Sequence, residues 1–311
     1  MLSRVAQRIY WLTRYLERAE NTARLILVRH HSVLDLPRAV QPDWDLLLKV
    51  LGAEESFASL PGAANEKNII SFVFGERANS SSIISSLANA RENMRTTREI
   101  MPSEAWERVN SLYLSVARRS NKDLPRASRH AVLNNIIQSC QQITGLLSGT
   151  MNKDAAYQFV HMGRNIERAD MSTRIIDVAS ADLMVAGEEA LPFRNVLWIS
   201  VLQSLTAYQM FRLTVQRNVS PEDALEFLLQ NKEFPRAVAH TLIEIENSMQ
   251  RLPHNKEPLK AIASLQRKLR RTDCHKLKGE ELHDFLDMMQ MRLNEINLSI
   301  SNAWFTPGQE Q

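Results

Sequence analysis

Apolar residues recur at three- and four-residue spacing along nearly the whole chain, and no run of alternating β-branched residues marks a strand. The pattern predicts helices over about 4–34, 44–51, 68–74, 82–100, 103–118 and 128–151. It predicts a second series over about 155–183, 193–215, 221–229, 235–251, 259–269 and 280–304. Turn chemistry separates these stretches. Ser220-Pro221-Glu222-Asp223 reads as a helix start, with serine as cap, proline in the first turn and Asp223 closing a capping box. Phe234-Pro235-Arg236 reads as another start, and Pro102-Ser103-Glu104 parts two helices.

The chain repeats itself. LTRYLERAENTARLI at 12–26 and MGRNIERADMSTRII at 162–176 align without a gap, 150 residues apart. They share Arg14/Arg164, Glu17/Glu167, Arg18/Arg168, Ala19/Ala169 and Arg24/Arg174, and Glu20 matches Asp170 in charge. Further on, Trp44-x-x-Leu47-Leu48 corresponds to Trp198-x-x-Val201-Leu202. Ile70-x-Phe72-Val73-Phe74 corresponds to Leu225-x-Phe227-Leu228-Leu229, and Ile143 to Ile296. The expectation is an all-α helical bundle of two related tandem halves, 1–150 and 151–305, with a short tail at 306–311. Neither half has enough apolar surface partners of its own, so the two are expected to pack with pseudo-two-fold symmetry around a shared core.

On a helical wheel, Ile9, Leu12, Leu16, Ala19, Ala23 and Ile26 form one apolar stripe, and Phe159, Met162, Ile166, Ala169 and Ile176 form its counterpart. Away from the stripe, Arg24 falls about 20° from Glu17 and Glu20 about 60°; Arg14 is about 60° to the other side and Arg18 nearer 100°. Each copy therefore carries an acidic pair flanked by three arginines. A solvated face would explain one such copy, because exposed Glu–Arg pairs contribute only tenths of a kcal/mol. A solvated face needs only polarity, however, and both copies choose arginine over lysine in the same order of signs. Arginine is favoured where a planar fork meets a carboxylate or phosphate. The residues point to a partly buried ionic network or an anion-binding cleft. A further helix sets Arg91, Arg95 and Arg98 on one face, where they want acids or a ligand anion; Glu92 and Glu99 are the local alternatives.

Composition removes several classes of protein. Only 9 Gly and 11 Pro in 311 residues favour long helices with few corners. Two cysteines, Cys140 and Cys274, exclude a disulfide scaffold or a cysteine zinc site and fit a reducing cytosol. A net charge of +3 is too even for strong non-specific nucleic-acid binding. No stretch approaches 18 apolar residues, so no membrane span is expected; Arg and Glu interrupt the first twenty residues, so no secretory leader is expected either, and a cytoplasmic protein is the default. A di-iron bundle needs two Glu-x-x-His motifs, and Glu280-x-x-His283 stands alone; His30 and His31 point to different helix faces. Cys274-His275 has no pattern of a nucleophile, and no phosphate-binding glycine loop is present. No metal or cofactor is expected. Most of the five tryptophans, Trp11, Trp44, Trp106, Trp198 and Trp304, read as core anchors, and Met288, Met289 and Met291 as core filler.

Several blocks together resemble the bacterial alpha-E family. They are Tyr10-Trp11-Leu12-x-Arg14-Tyr15-Leu16-Glu17-Arg18-Ala19-Glu20 with Arg24, and Ala90-Arg91-Glu92-Asn93-x-Arg95-x-x-Arg98 followed by Trp106-Glu107-x-x-Asn110. Gly163-Arg164-x-x-Glu167-Arg168-Ala169-Asp170 with Arg174, and Phe227-Leu228-Leu229 leading to Phe234-Pro235-Arg236, complete the set. Met94 and Ala237 depart from the family pattern without touching the charged positions. The resemblance implies an all-helical protein whose predicted functional positions are Glu17, Arg18, Arg24, Glu167, Arg168 and Arg174. It also implies genetic neighbours: a circularly permuted ATP-grasp protein and a transglutaminase-like protein, and so a part in ATP-dependent peptide or amide-bond formation.

Three readings of function follow. The first is an accessory or interaction protein of such a system, binding an anionic group in its Arg/Glu cleft. The second is an enzyme that transfers or hydrolyses an acyl or amide group with a cleft glutamate, although flanking arginines would lower that glutamate's pKa. The third is a scaffold whose motifs only clamp the halves together.

Overall fold

The computed structural model describes residues 2–35, 43–120, 124–185 and 193–306, with backbone alone at 31–35, 120 and 181–185. Of the expected tail, all but Thr306 lies outside the described residues, as does the side chain of His31. The protein is all-α, and no strand occurs among the described residues. The first seven helices are α1 (Ser3–Asp35), α2 (Leu46–Leu51), α3 (Glu54–Ala58), α4 (Glu66–Gly75), α5 (Ile83–Arg95), α6 (Ser103–Ser120) and α7 (Arg126–Thr150). The next seven are α8 (Ala155–Val185), α9 (Arg194–Ser204), α10 (Tyr208–Val215), α11 (Pro221–Gln230), α12 (Val238–Gln250), α13 (Lys256–Arg271) and α14 (Gly279–Trp304).

The chain forms two compact units. The first takes in Met1–His30 and Asp43–Arg164, and the second runs from Asn165 to the C-terminal end, so the division falls within α8. In the first unit α2 packs on α3 and α4, α4 on α5 and α6, α5 on α6, and α6 on α7. In the second, α9 packs on α10 and α11, α11 on α12 and α13, α12 on α13, and α13 on α14. The same neighbours thus recur in the same order.

The recurrence extends to single residues. α4 buries Ile69, Ile70, Phe72, Val73 and Phe74; α11 buries Ala224, Leu225, Phe227, Leu228 and Leu229, each 155 positions later. α6 buries Ala105, Val109, Leu112 and Val116; α13 buries Pro258, Ile262, Leu265 and Leu269, each 153 positions later. The caps correspond too. Asn65 accepts a hydrogen bond from the Asn68 amide at 3.0 Å and Ser220 from the Asp223 amide at 3.1 Å, so the Ser220-Pro221 start begins α11 as its chemistry dictates.

Some helix ends fall where expected and others do not. α2 ends on Gly52 in the left-handed conformation (φ 59°), with the Ala53 amide bonded to the Leu48 carbonyl at 2.9 Å. α9 ends in the same way on Thr206 (φ 53°), with Ala207 bonded to Leu202 at 2.7 Å. A β-branched residue there announces no turn, so the single helix expected over 193–215 is in fact two. α5 stops at Arg95 rather than near Ile100, because the Thr96 and Thr97 hydroxyls bond back to carbonyls of the last turn at 2.9–3.0 Å. α12 starts at Val238 rather than Pro235, since the Asn231 side chain accepts from the amides of Glu233 and Phe234. The five-residue α3 is too short to show a period.

No helix among the described residues is long and apolar enough to cross a membrane. The left-handed positions give a test. Gly52→Ala is expected to lower unfolding free energy by about 1 kcal/mol and Thr206→Gly to raise it by up to about 1 kcal/mol, both read from urea unfolding.

Candidate functional site

The centre of α1 is enclosed on all sides. The apolar stripe from Ile9 to Ile26 is buried, but so are Thr13, Arg14, Glu17, Glu20, Asn21, Thr22 and Arg24 on the other faces. Glu17 is 3% exposed and Glu20 is 2% exposed, which rules out a solvated face on this helix. Charges sealed this far need partners. Arg24 Nη2 donates to Glu20 Oε1 at 2.7 Å, and Gln141 Nε2 of α7 donates to the same oxygen at 3.4 Å. The Arg14 guanidinium lies over the Trp11 ring at 4.5 Å, and the half-buried Arg18 lies over Tyr15 at 5.8 Å. Cys140 of α7 is buried against this layer. Burial, and then the Glu20 and Glu17 carboxylates, push its thiol well above the usual range, with Arg24 opposing them.

The beginning of α8 lies against α1. A Cβ added at Gly163 would overlap the Tyr10 carbonyl oxygen and come within 2.5 Å of Thr13 Oγ1, so only glycine permits this approach. It brings Arg164 and Glu17 to the walls of one small pocket, which Tyr157 and His161 also line. The Tyr157 ring stacks on His161 at 5.6 Å, with Lys153 Nζ 3.6 Å from its centroid. Burial pushes the Tyr157 phenol up, but hydrogen bonds with Ser148 and Lys153 outweigh it and leave the pKa below its ordinary value.

In the second unit Glu167 is 1% exposed, while Arg168 beside it is half-buried. Arg174 Nε donates to Asp170 Oδ2 at 2.9 Å, matching the Arg24–Glu20 pair of α1. Ser172 Oγ donates to the Arg236 carbonyl at 2.9 Å, which ties α8 to the Phe234-Pro235-Arg236 turn. One turn beyond Arg174, Asp177 lies 2.7 Å from His283 Nδ1, and this carboxylate raises the histidine above its ordinary pKa.

Arg91, Arg95 and Arg98 do not act together. Arg95 makes an exposed pair with Glu92 at 2.7 Å, of the kind that contributes little. Arg91 Nε donates to Asn110 of α6 at 2.7 Å, and its guanidinium lies between Trp106 at 5.7 Å and Tyr113 at 5.3 Å. Arg98, past the end of α5, also lies over Trp106, at 5.6 Å. Trp106 is accordingly half-buried and stacked with arginines; Trp11 and Trp44 are half-buried too, Trp198 and Trp304 are buried, and Met291 is exposed, so fewer of these residues lie in the core than expected.

An ionic cluster with no local signal in the sequence joins α4 to α7. Glu66 receives Arg126 and Arg129, the latter at 2.6 Å, and Arg129 also approaches His30 and the Trp44 ring. Hydrogen bonding to Arg126 holds the Glu66 carboxyl down at about 2, against burial and with help from Arg129. Two groups bring histidine and carboxylate atoms within 4.8 Å of one another: Asp177, His283 and Asp287, and Asp223, Glu226 and His275. In each a hydrogen bond accounts for the grouping, the second being His275 to Glu226 at 3.1 Å.

Removing Arg129, whose side chain is buried, is expected to cost about 3 kcal/mol in Arg129→Ala by urea unfolding. The Glu66 carboxyl is lowered in the folded state. Its contribution is therefore complete above an unfolded pKa of 4.5 and declines as pH falls towards about 2; Glu66→Gln should flatten stability against pH in that window. Gly163→Ala should cost about 1–3 kcal/mol by the same measurement.

Residues 1–305 match the Alpha-E family, described as a predicted alpha-helical domain with a conserved ER motif. The chain is similar to uncharacterized protein Mb2597 of Mycobacterium bovis and uncharacterized protein MT2643 of Mycobacterium tuberculosis. Each is 21% identical over 300 residues, covering 88% of this chain and 33% of the relative. The chain thus spans about a third of the length of these curated relatives. No solved structure matches it. With a match from end to end of its fourteen described helices and a buried glutamate beside a half-buried arginine in each of α1 and α8, the chain belongs to the Alpha-E family.

Proposed function

We propose that the chain is a cytoplasmic accessory module of a bacterial peptide or amide-bond-forming system. Its partners are a circularly permuted ATP-grasp protein and a transglutaminase-like protein, and its Arg/Glu layer holds an anionic group. The observation that carries the reading is the arrangement of the two Glu-Arg pairs. In each, the glutamate is sealed and the arginine next to it is half-buried. A fixed inner carboxylate anchoring a network around an outer guanidinium suits recognition of a carboxylate or phosphate. Two thirds of each mycobacterial relative lies outside the matched segment, as expected of a module that works beside other protein parts.

Co-expression with the neighbouring ATP-grasp protein should give a complex at micromolar concentration. Two soluble proteins that do not associate would overturn the reading. Arg18→Ala and Arg168→Ala separate it from a purely structural role: loss of partner or ligand at an unchanged melting temperature supports recognition, and loss of stability alone supports a clamp. A second reading, acyl or amide transfer by a cleft glutamate, has in its favour the pocket that Glu17 shares with Tyr157, His161 and Arg164. It requires turnover by the isolated chain that disappears in a folded Glu17→Gln variant.

A further inference from the structure

On the α5–α6 face of the first unit, arginines and aromatic rings alternate. Arg98 lies over Trp106, Trp106 against Arg91, and Arg91 against Tyr113, whose hydroxyl accepts a hydrogen bond from Arg77 Nη2 at 3.2 Å. Trp106 and Tyr113 are seven residues apart on α6, so the ladder runs about 10 Å along the helix. Among the described residues no carboxylate forms an ion pair with Arg77, Arg91 or Arg98, although Arg95 close by has Glu92. A guanidinium stacked on a ring keeps its in-plane donors for an oxyanion.

The helix pair does not need this ladder. The second unit builds the same α12–α13 pairing with Glu246 at the position of Arg91 and Gln266 at that of Tyr113, joined by a hydrogen bond of 2.9 Å. Lys232, Pro253 and Leu259 stand at the positions of Arg77, Arg98 and Trp106. One copy of the framework thus carries two ring-stacked arginines and a third bonded to a tyrosine hydroxyl, where the other manages with a lysine, a neutral amide, a carboxylate and apolar residues.

We infer that the Arg77–Arg91–Arg98 ladder is a docking surface for an acidic segment of a partner polypeptide. The surface is open and extended rather than a cavity, so it fits a linear run of carboxylates better than a small metabolite. Its rings are already stacked with guanidiniums, which disfavours the base stacking that single-stranded nucleic acid requires. The inference rests on the reading of the chain as a partner-binding module.

The test is fluorescence anisotropy at low salt with a short labelled peptide of alternating Glu and Gly. Wild-type protein should bind it, and Arg77→Gln with Arg98→Gln should weaken binding roughly tenfold at an unchanged melting temperature. Arg91→Lys keeps the charge but not the fork and should also weaken it. The equal charge change Arg267→Gln with Arg270→Gln on the exposed side of α13 should leave binding unchanged. Four results would overturn the ladder: no binding by wild type, equal weakening in the α13 control, wild-type affinity in Arg91→Lys, or tighter binding of oligouridylate of matched charge. Lack of peptide binding with an intact ATP-grasp complex would strike the ladder alone. Peptide binding without that complex would support the ladder and strike the earlier reading.

Discussion

Two carboxylates only one helical turn apart, sealed inside α1, set the terms for the first unit. An ion removed from water costs several kcal/mol unless its neighbours restore the lost solvation. Arg24 and Gln141 do so for Glu20, and the layer around them is ordered so that α1, α7 and the beginning of α8 lie close together. Gly163 is part of the same requirement, because a side chain there would hold α8 away from the Tyr10 carbonyl. Losing one member of such a layer strands the rest, so its residues stand or fall together.

The two units show how a framework and its surface can be separated. Buried positions in α4 and α11, and in α6 and α13, correspond residue for residue, and the helix neighbours recur in order. Packing constrains these positions because interiors are dense and tolerate little change in volume. The half-buried edges of the neighbouring helix pairs carry different chemistry: a cationic, aromatic row on α5–α6, and a plain amide-to-carboxylate contact on α12–α13.

What could be read from the chain alone follows from range. The long helices are legible because apolar period is a local property, and the Ser220-Pro221 start because capping is local too. Thr206 hides a helix end because nothing in a threonine signals left-handed backbone. The Glu66 cluster was invisible because its partners lie 60 residues and more along the chain. The charged residues of α1 were legible as a repeated pattern, but their burial depends on helices far away in sequence. The setting of Trp106 is hidden for a related reason: the arginines that stack on it come from α5 and the turn that follows it.

Cys140 adds a property unrelated to partners. Its thiol is fully covered and faces carboxylates, so the thiolate, the only form that reacts with alkylating reagents or peroxide, is suppressed twice over. The cysteine stays inert while α7 rests on α1 and becomes available only when that contact breathes. Its rate of modification, followed site by site because Cys274 is a second buried thiol, therefore reports opening of the ionic layer.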